Sequence, residues 1–157
     1  MNAIRPTIGF IANAVAWKYR QMLTRVIRQC GYDITPEHWI LLAALRTKDS
    51  ISQIELARST YKDKANVTRL LKRLLKSNLV RRERSTEDRR HFKVSLTTEG
   101  RKLLRRLTPK LRAATQAVDD HLGEDKVELL KRELTSLSNH LDEMIPRLDQ
   151  ESADALV

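Results

Sequence analysis

The sequence predicts a mainly α-helical protein that contains one small β-hairpin. Apolar residues recur at helical spacing through most of the chain, whereas this period is lost after residue 78 and residues 91–96 alternate apolar and polar residues. Only 4 Gly and 4 Pro occur in 157 residues, which leaves few turn positions for an all-β fold. This length, with 41% hydrophobic residues, suits a single domain spanning residues 1–157.

The first predicted element is a long helix over residues 7–30. Pro6 suits the first turn of a helix, and Gly31 is a good helix end. The apolar residues of this segment form one stripe with steps of four and three residues, namely Ile8, Ala12, Val15, Tyr19, Met22 and Val26.

Two shorter helices are predicted next. Thr35 is a candidate N-cap, and Pro36 fits the first position of the second helix. Ser52 and Glu55 form an S-x-x-E capping box, which predicts the start of the third helix.

A fourth helix is predicted to begin after Asp63 and to run to about residue 77. Asn78 can end it, because asparagine tolerates the left-handed backbone conformation. The apolar side of this helix holds Val67, Leu70, Leu71, Leu74 and Leu75. A short helix followed closely by this one is the arrangement of a helix-turn-helix.

The period of the sequence then changes from helical to alternating. Residues 79–84 predict a strand, residues 85–90 a polar turn, and residues 91–96 a second strand. In the second strand, Phe92, Val94 and Leu96 alternate with polar residues. A hairpin directly after the helix pair predicts a winged helix-turn-helix lobe, which we assign to residues 35–97.

Helical periodicity returns at Thr98, although Pro109 is expected to kink or split this helix. After Gly123, apolar residues with steps of three and four form a heptad seam. We predict that residues 1–34 and 98–157 form a helical dimerisation region, and packing of the same stripes within one chain is the alternative. The expected dimer-seam residues are Ile8, Val15, Val127, Leu134, Leu137, Leu141, Met144 and Leu148.

Positive charge is concentrated in the middle of the chain. Residues 58–112 carry 19 Lys/Arg and 5 Asp/Glu, a net charge of +14, whereas residues 113–157 carry 4 and 11, a net charge of −7. This asymmetry predicts a surface that binds a polyanion, and a solvated charged face without such a role is the alternative. The aromatic content of 4% argues against a single-stranded nucleic-acid binder, which needs stacking platforms.

Other classes of protein find little support in the sequence. The four histidines do not form a ligand pair at close spacing, Cys30 is the only cysteine, and the glycines are too scattered for a phosphate-binding loop. We therefore predict no enzyme, no cofactor and no metal site. Because no apolar run approaches the length of a membrane span, we expect a cytoplasmic protein that does not enter a membrane.

The predicted hairpin turn has the sequence STEDRR, residues 85–90. Arg89 and Arg90 suit the DNA minor groove, where narrow A·T-rich sequence concentrates negative potential. Asp88 can hold an arginine side chain in one rotamer by a charged hydrogen bond.

The segment LVRRERSTEDRRHFKVSLTTEGRKLL resembles the wing and following helix of the MarR (multiple-antibiotic-resistance regulator) family of bacterial transcription factors. The segments SQIELARST and ANVTRLLKRL also resemble the helix-turn-helix of that family. A small departure is Asn78, where the family more often has glycine. The wing residues that match in order and spacing are Asp88, Arg90, Leu96, Thr97 and Gly100.

The resemblance implies a homodimer that binds pseudo-palindromic double-stranded operator DNA and regulates transcription, with repression as the expected outcome. The fourth helix would enter the major groove, and the wing would reach the flanking minor groove. A non-specific architectural nucleic-acid-binding protein is the alternative. Expected DNA contacts lie on the recognition helix (Lys64, Ala65, Asn66, Thr68, Arg69, Lys72, Arg73 and Lys76), on the wing (Asp88, Arg89 and Arg90) and at the start of the third helix (Ser52 and Gln53).

Members of the family often respond to small aromatic or phenolic effectors in a cleft between the dimerisation region and the DNA-binding lobe. Here the residues expected to line such a cleft are Trp17, Tyr19, His38 and Trp39, and ordinary core packing of these side chains is the alternative. Cys30 could be a redox-active thiol or an inert buried cysteine.

Overall fold

The computed structural model describes residues 6–48, 50–84 and 92–154, and it describes side chains as far as residue 148. In chain order the elements are α1 (Ile8–Gln29), α2 (Pro36–Arg46), β1 (Ile51–Ser52), α3 (Gln53–Ser59), α4 (Lys64–Lys76), β2 (Val80–Arg84), β3 (Phe92–Leu96), α5 (Thr98–Leu122) and α6 (Glu124–Asp154). The predicted fold class, mainly helical with a small hairpin, is therefore confirmed. None of the described helices combines the length and apolar character that a membrane crossing requires.

Side-chain caps fix the helix starts near the predicted positions. The Thr7 hydroxyl accepts a hydrogen bond from the Phe10 N–H, so Pro6 precedes the cap of α1 and does not lie inside its first turn. The Asp63 carboxylate accepts from the Asn66 N–H at 2.7 Å and begins α4 as predicted. Each cap satisfies a backbone donor that has no partner within its helix.

Helices α1 and α4 end in left-handed residues, as the sequence predicts. Gly31 has φ of +78° and Asn78 has φ of +52°. After α4, the Asn78 N–H donates to the Leu75 carbonyl and the Leu79 N–H to the Leu74 carbonyl, each at 3.0 Å. These bonds stop the helix and turn the chain into β2.

The sheet has the order β1-β3-β2, and both pairings are antiparallel. In the hairpin, Val80 lies opposite Leu96 and Arg84 opposite Phe92. The two-residue strand β1, which the sequence analysis did not predict, pairs its Ile51 with Val94.

One hydrophobic core joins the C-terminal end of α1, helices α2, α3 and α4, the sheet and the first half of α5. The predicted apolar side of α4 is confirmed, since Val67, Leu70, Leu71 and Leu74 are buried and Leu75 is half-buried against the same core.

The start of α5 is clamped to the end of α4. The Thr97 hydroxyl donates to the Asn78 carbonyl at 2.7 Å and accepts from the Gly100 N–H at 3.0 Å. A Cβ atom on Gly100 would lie 2.1 Å from the Leu79 carbonyl oxygen, so only glycine fits at this crossing.

Helix α5 continues through Pro109, so the alternative that this proline splits the helix is wrong. A proline removes one N–H donor from the helix. The carbonyl that loses its partner is that of Arg105, and because Arg105 is exposed, water can satisfy it.

The chain divides into two compact units, residues 1–114 and residues 115–157. The first unit contains the core described above. In the second, Val127 is buried and Leu137 half-buried, whereas the other predicted seam residues on α6 are exposed, namely Leu134, Leu141, Met144 and Leu148. The predicted functional division at residues 35–97 stays a prediction.

Candidate nucleic-acid interface

Helix α4 presents a polar and mostly cationic side opposite its buried apolar side. Of the eight residues predicted to touch DNA from this helix, Asn66 is half-buried and the others are exposed, namely Lys64, Ala65, Thr68, Arg69, Lys72, Arg73 and Lys76. The buried side fixes the rotation of the helix, so its exposed side is held in one orientation relative to the lobe.

Hydrogen bonds along the first turns of α4 orient two of these side chains. An Arg69 Nη2 donor reaches the Asn66 Oδ1 atom at 3.0 Å. The Thr68 hydroxyl donates to the Lys64 carbonyl at 2.8 Å, which leaves its oxygen able to accept. Arg69 is thereby held close to the start of the helix, where a recognition helix contacts base edges.

Arg73 has a partner within the chain. Its Nη2 atom donates to the Asp33 carbonyl at 3.1 Å and also pairs with the Asp33 carboxylate. The Asp33 side chain is fully exposed and that of Arg73 about half exposed, so this ion pair adds little to stability. It nevertheless ties α4 to the loop between α1 and α2, and a phosphate would have to compete with Asp33 for Arg73.

The start of α3 is closed by a reciprocal capping box. The Glu55 N–H donates to the Ser52 hydroxyl at 3.2 Å, and the Ser52 N–H donates to the Glu55 carboxylate at 3.0 Å. The Ser52 N–H bond and the Lys48 ammonium group lower the pKa of Glu55. Because the Ser52 N–H is already bonded, Gln53 is the better candidate of the two for a backbone contact with phosphate.

The base of the hairpin carries arginines that the sequence analysis did not single out. The Arg82 guanidinium lies over the Phe92 ring, 3.6 Å from its centroid. The Arg81 Nε atom donates to the Ser95 hydroxyl at 2.9 Å. The basic run in residues 81–84 was the available signal, since alternate positions of a strand lie on the same face. The predicted wing residues Asp88, Arg89 and Arg90 lie outside the described residues.

The four residues expected to line an effector cleft lie in different environments. Trp17 is exposed and lines an open groove on α1 together with Arg20 and Arg25, and Tyr19 is half-buried. Trp39 is half-buried against the core, and its Nε1 atom donates to the Thr108 hydroxyl at 3.4 Å.

His38, the remaining member of that set, is buried at the start of α2. Its Nδ1 atom accepts from the Thr35 N–H at 3.1 Å and so completes the cap of this helix. Burial, followed by the Arg73 guanidinium, lowers the pKa of His38. Cys30 is half-buried and packs against the core.

Arginines surround a cavity of about 440 Å³ between α2, β3 and α5. Arg46, Arg101 and Arg105 have no carboxylate partner among the described residues. The other lining residues are Leu96, Leu104, Thr108, Pro109 and Arg112. An apolar floor with guanidinium groups around it suits an organic anion.

The sequence matches the MarR family over residues 34–92, which run from before α2 to the first residue of β3. The chain is 32% identical to the HTH-type transcriptional regulator PrsX of Escherichia coli over 116 residues, which are 73% of this chain and 70% of PrsX.

Two solved DNA complexes have the same fold. A crystal structure of a mutant MarR from Escherichia coli with operator DNA is 25% identical, with a TM-score of 0.76 over 83% of this chain and 92% of that one. The Staphylococcus aureus MepR–DNA complex is also 25% identical, with a TM-score of 0.78 over 85% of this chain and 98% of that one. Together with the lobe and the exposed side of α4, these likenesses show that the chain belongs to the MarR family of winged helix-turn-helix transcription regulators, which are DNA-binding proteins and not enzymes.

Proposed function

We propose that this chain is a cytoplasmic homodimer that binds pseudo-palindromic operator DNA by sequence and represses transcription there. The observation that carries the proposal is α4, whose buried apolar side holds an exposed cationic side in a fixed orientation. Its N-terminal residues would read base edges in the major groove, while Lys72 and Lys76 would contact phosphates. The residues of the wing, Asp88, Arg89 and Arg90, would reach the minor groove.

The exposed apolar residues of α1 and α6 support the homodimer. Ile8 and Val15 on α1 are more than half exposed. Four of the predicted seam residues of α6 are also exposed, namely Leu134, Leu141, Met144 and Leu148. Monomeric proteins rarely leave extended apolar stripes in water, and a second copy of the same chain would cover them. Two lobes related by two-fold symmetry would then read two half-sites about one helical turn apart.

We also propose a small aromatic or phenolic effector as the signal that releases DNA. The arginine-lined cavity between α2, β3 and α5 supports an anionic form of such a ligand, whereas Trp17, Tyr19, His38 and Trp39 do not share one environment. A ligand that favours a different spacing of the two lobes weakens DNA binding by its differential affinity for the two states.

The test is DNA binding across a salt series, with a duplex that the wild-type chain recovers from a random-sequence pool and a scrambled duplex as probes. A sequence-specific regulator should prefer the recovered duplex by roughly a thousandfold or more and bind it as one dimer. Equal affinities, both falling steeply with salt, would instead show a non-specific architectural protein.

A matched pair of variants then tests the recognition helix. Arg69→Ala removes a cation from the start of α4 and should weaken binding to the recovered duplex about tenfold or more. Arg132→Ala removes a cation from α6, where Arg132 pairs with Glu133, and should leave the affinity unchanged. Equal losses in both variants would contradict the assignment of α4 as the reading element.

A further inference from the structure

Tyr61 has an unusual backbone conformation in the turn between α3 and α4. Its φ is +51°, in the left-handed region. The Tyr61 N–H donates to the Arg58 carbonyl at 3.3 Å, and the Lys62 N–H donates to the Ala57 carbonyl at 3.0 Å. This pair of bonds is the Schellman ending of a helix, in which the left-handed residue is usually glycine. A bulky side chain at this position is strained, because its Cβ crowds the following carbonyl oxygen.

Packing within the chain does not compensate for this strain. The Tyr61 side chain is 91% exposed, and it makes no hydrogen bond or ring contact with any described residue. The turn itself is firmly anchored, because Thr60 is buried and its hydroxyl donates to the Leu56 carbonyl at 2.6 Å. The fold therefore holds a large amphipathic side chain in water on a rigid turn. Strained residues of this kind often serve a function.

The position of Tyr61 indicates which function. It lies two residues before Asp63, the N-cap of the recognition helix α4. Its neighbours in this stretch are the cations Arg58, Lys62 and Lys64. A tyrosine in cationic surroundings suits the sugar–phosphate backbone, because its hydroxyl donates to phosphate oxygen while its ring covers the apolar face of deoxyribose.

We propose that Tyr61 contacts the backbone of duplex DNA at the edge of the major groove that α4 enters. The inference rests on the proposed function and adds a positioning contact that the recognition helix itself does not supply. A tyrosine has only two side-chain torsions, and its backbone is already fixed, so it loses little freedom on binding. Because the contact is uncharged, it should strengthen binding without releasing further counterions.

The experiment compares Tyr61→Gly and Tyr61→Phe with Asn78→Gly, a control at the other end of α4 that also replaces a left-handed residue by glycine. The probe is the duplex recovered by the wild-type chain, and thermal unfolding is followed in parallel.

We expect Tyr61→Gly to raise the unfolding midpoint, because strain is relieved. The same variant should weaken binding by more than about tenfold, because it loses a hydrogen bond to a charged group, worth about tenfold, together with the ring contact, and the slope against salt should stay unchanged. Tyr61→Phe should fall between this variant and the wild type, and Asn78→Gly should bind like the wild type.

Two outcomes would overturn the inference. Wild-type affinity in Tyr61→Gly would show that the side chain does not touch DNA. Weaker binding together with a lowered unfolding midpoint would show that Tyr61 acts through the fold. A wild-type chain that recovers no preferred duplex would refute the proposed function, and this inference with it, before any variant is compared.

Discussion

Helices α4 and α6 are both amphipathic, yet the apolar side of α4 is buried, whereas most apolar residues of the α6 seam are exposed. Leu71 and Leu74 of α4 are almost completely buried, whereas Leu134, Leu141 and Leu148 of α6 are 51%, 46% and 53% exposed. The regular spacing of leucines is similar in the two helices, so the pattern shows amphipathicity and does not show what covers the apolar side.

The difference indicates where each part of the molecule obtains its stability. The apolar side of α4 belongs to a core made entirely by one chain. On our proposal, the exposed part of the α6 seam is buried by the second copy of the chain. The stability of the core that contains α4 should therefore not depend on protein concentration. The stability of an obligate dimer does depend on it.

The largest expected effect comes from Leu141→Asp, which places a charge in the middle of the α6 seam. A buried leucine contributes about 1.5–3 kcal/mol, and two-fold symmetry applies the loss twice, so the dimer should weaken at least about a hundredfold. Sedimentation equilibrium measures this as a shift from dimer to monomer.

The matched control for that variant is Asn139→Asp, which adds the same charge to an exposed position outside the seam. It should sediment like the wild type. A Leu141→Asp protein that remains dimeric at the same concentrations would show that the seam of α6 is not the dimer contact.

A smaller effect is expected from Gly100→Ala, which tests the covered part of the molecule. The added Cβ would meet the Leu79 carbonyl oxygen, a backbone atom that cannot easily move away. We expect the free energy of unfolding to fall by about 1–3 kcal/mol, as for other overpacked sites.

Gly9→Ala is the control for Gly100→Ala, because a Cβ on Gly9 of α1 would have open space around it. Alanine favours a helix over glycine by up to about 1 kcal/mol, so this variant should be neutral or more stable than the wild type. Denaturant unfolding compares the two variants. An equal change in both would show that the close approach of α5 to Leu79 does not constrain residue 100.

The parts of the fold that depend on neighbours in sequence were predictable. The Ser52–Glu55 capping box, the Asp63 cap and the left-handed Asn78 each arise from residues within one or two turns of helix. The change of period after α4 and the apolar alternation of residues 91–96 likewise placed the two hairpin strands to within one residue. Local hydrogen bonds and the spacing of apolar residues decide these features, so they can be predicted from the sequence.

The features that sequence analysis missed depend on distant residues. Arg73 pairs with Asp33, which lies 40 residues away, so a predicted phosphate contact is partly occupied within the chain. The strand β1 is only two residues long and exists because β3 lies beside it. His38 accepts a hydrogen bond from the Thr35 N–H and so caps α2, a role that the sequence did not indicate, and its expected place near an effector stays a prediction.

The smallest expected effect concerns His38, and it is seen in the pH dependence of stability. Burial lowers the pKa of His38, and the Arg73 and Arg69 guanidinium groups lower it further, while the Glu37 and Asp33 carboxylates act in the opposite direction. Below the ordinary histidine value of about 6.5, the unfolded chain binds a proton at this position more readily than the folded chain. The free energy of unfolding should therefore fall as the pH drops from about 7 to about 5.

His38→Asn removes the titrating group and retains an acceptor for the Thr35 N–H, so its stability should fall less steeply over that range than that of the wild type. His140→Asn, at an exposed position on α6, removes a histidine without touching the cap and should keep the wild-type slope. Denaturant unfolding at a series of pH values compares the three proteins. Parallel curves for His38→Asn and the wild type would show that protonation of the α2 cap does not contribute to the stability of the lobe. A flatter curve for His38→Asn, with the wild-type slope kept in His140→Asn, would show that this pH sensitivity arises at the cap of α2, in the core built by a single chain.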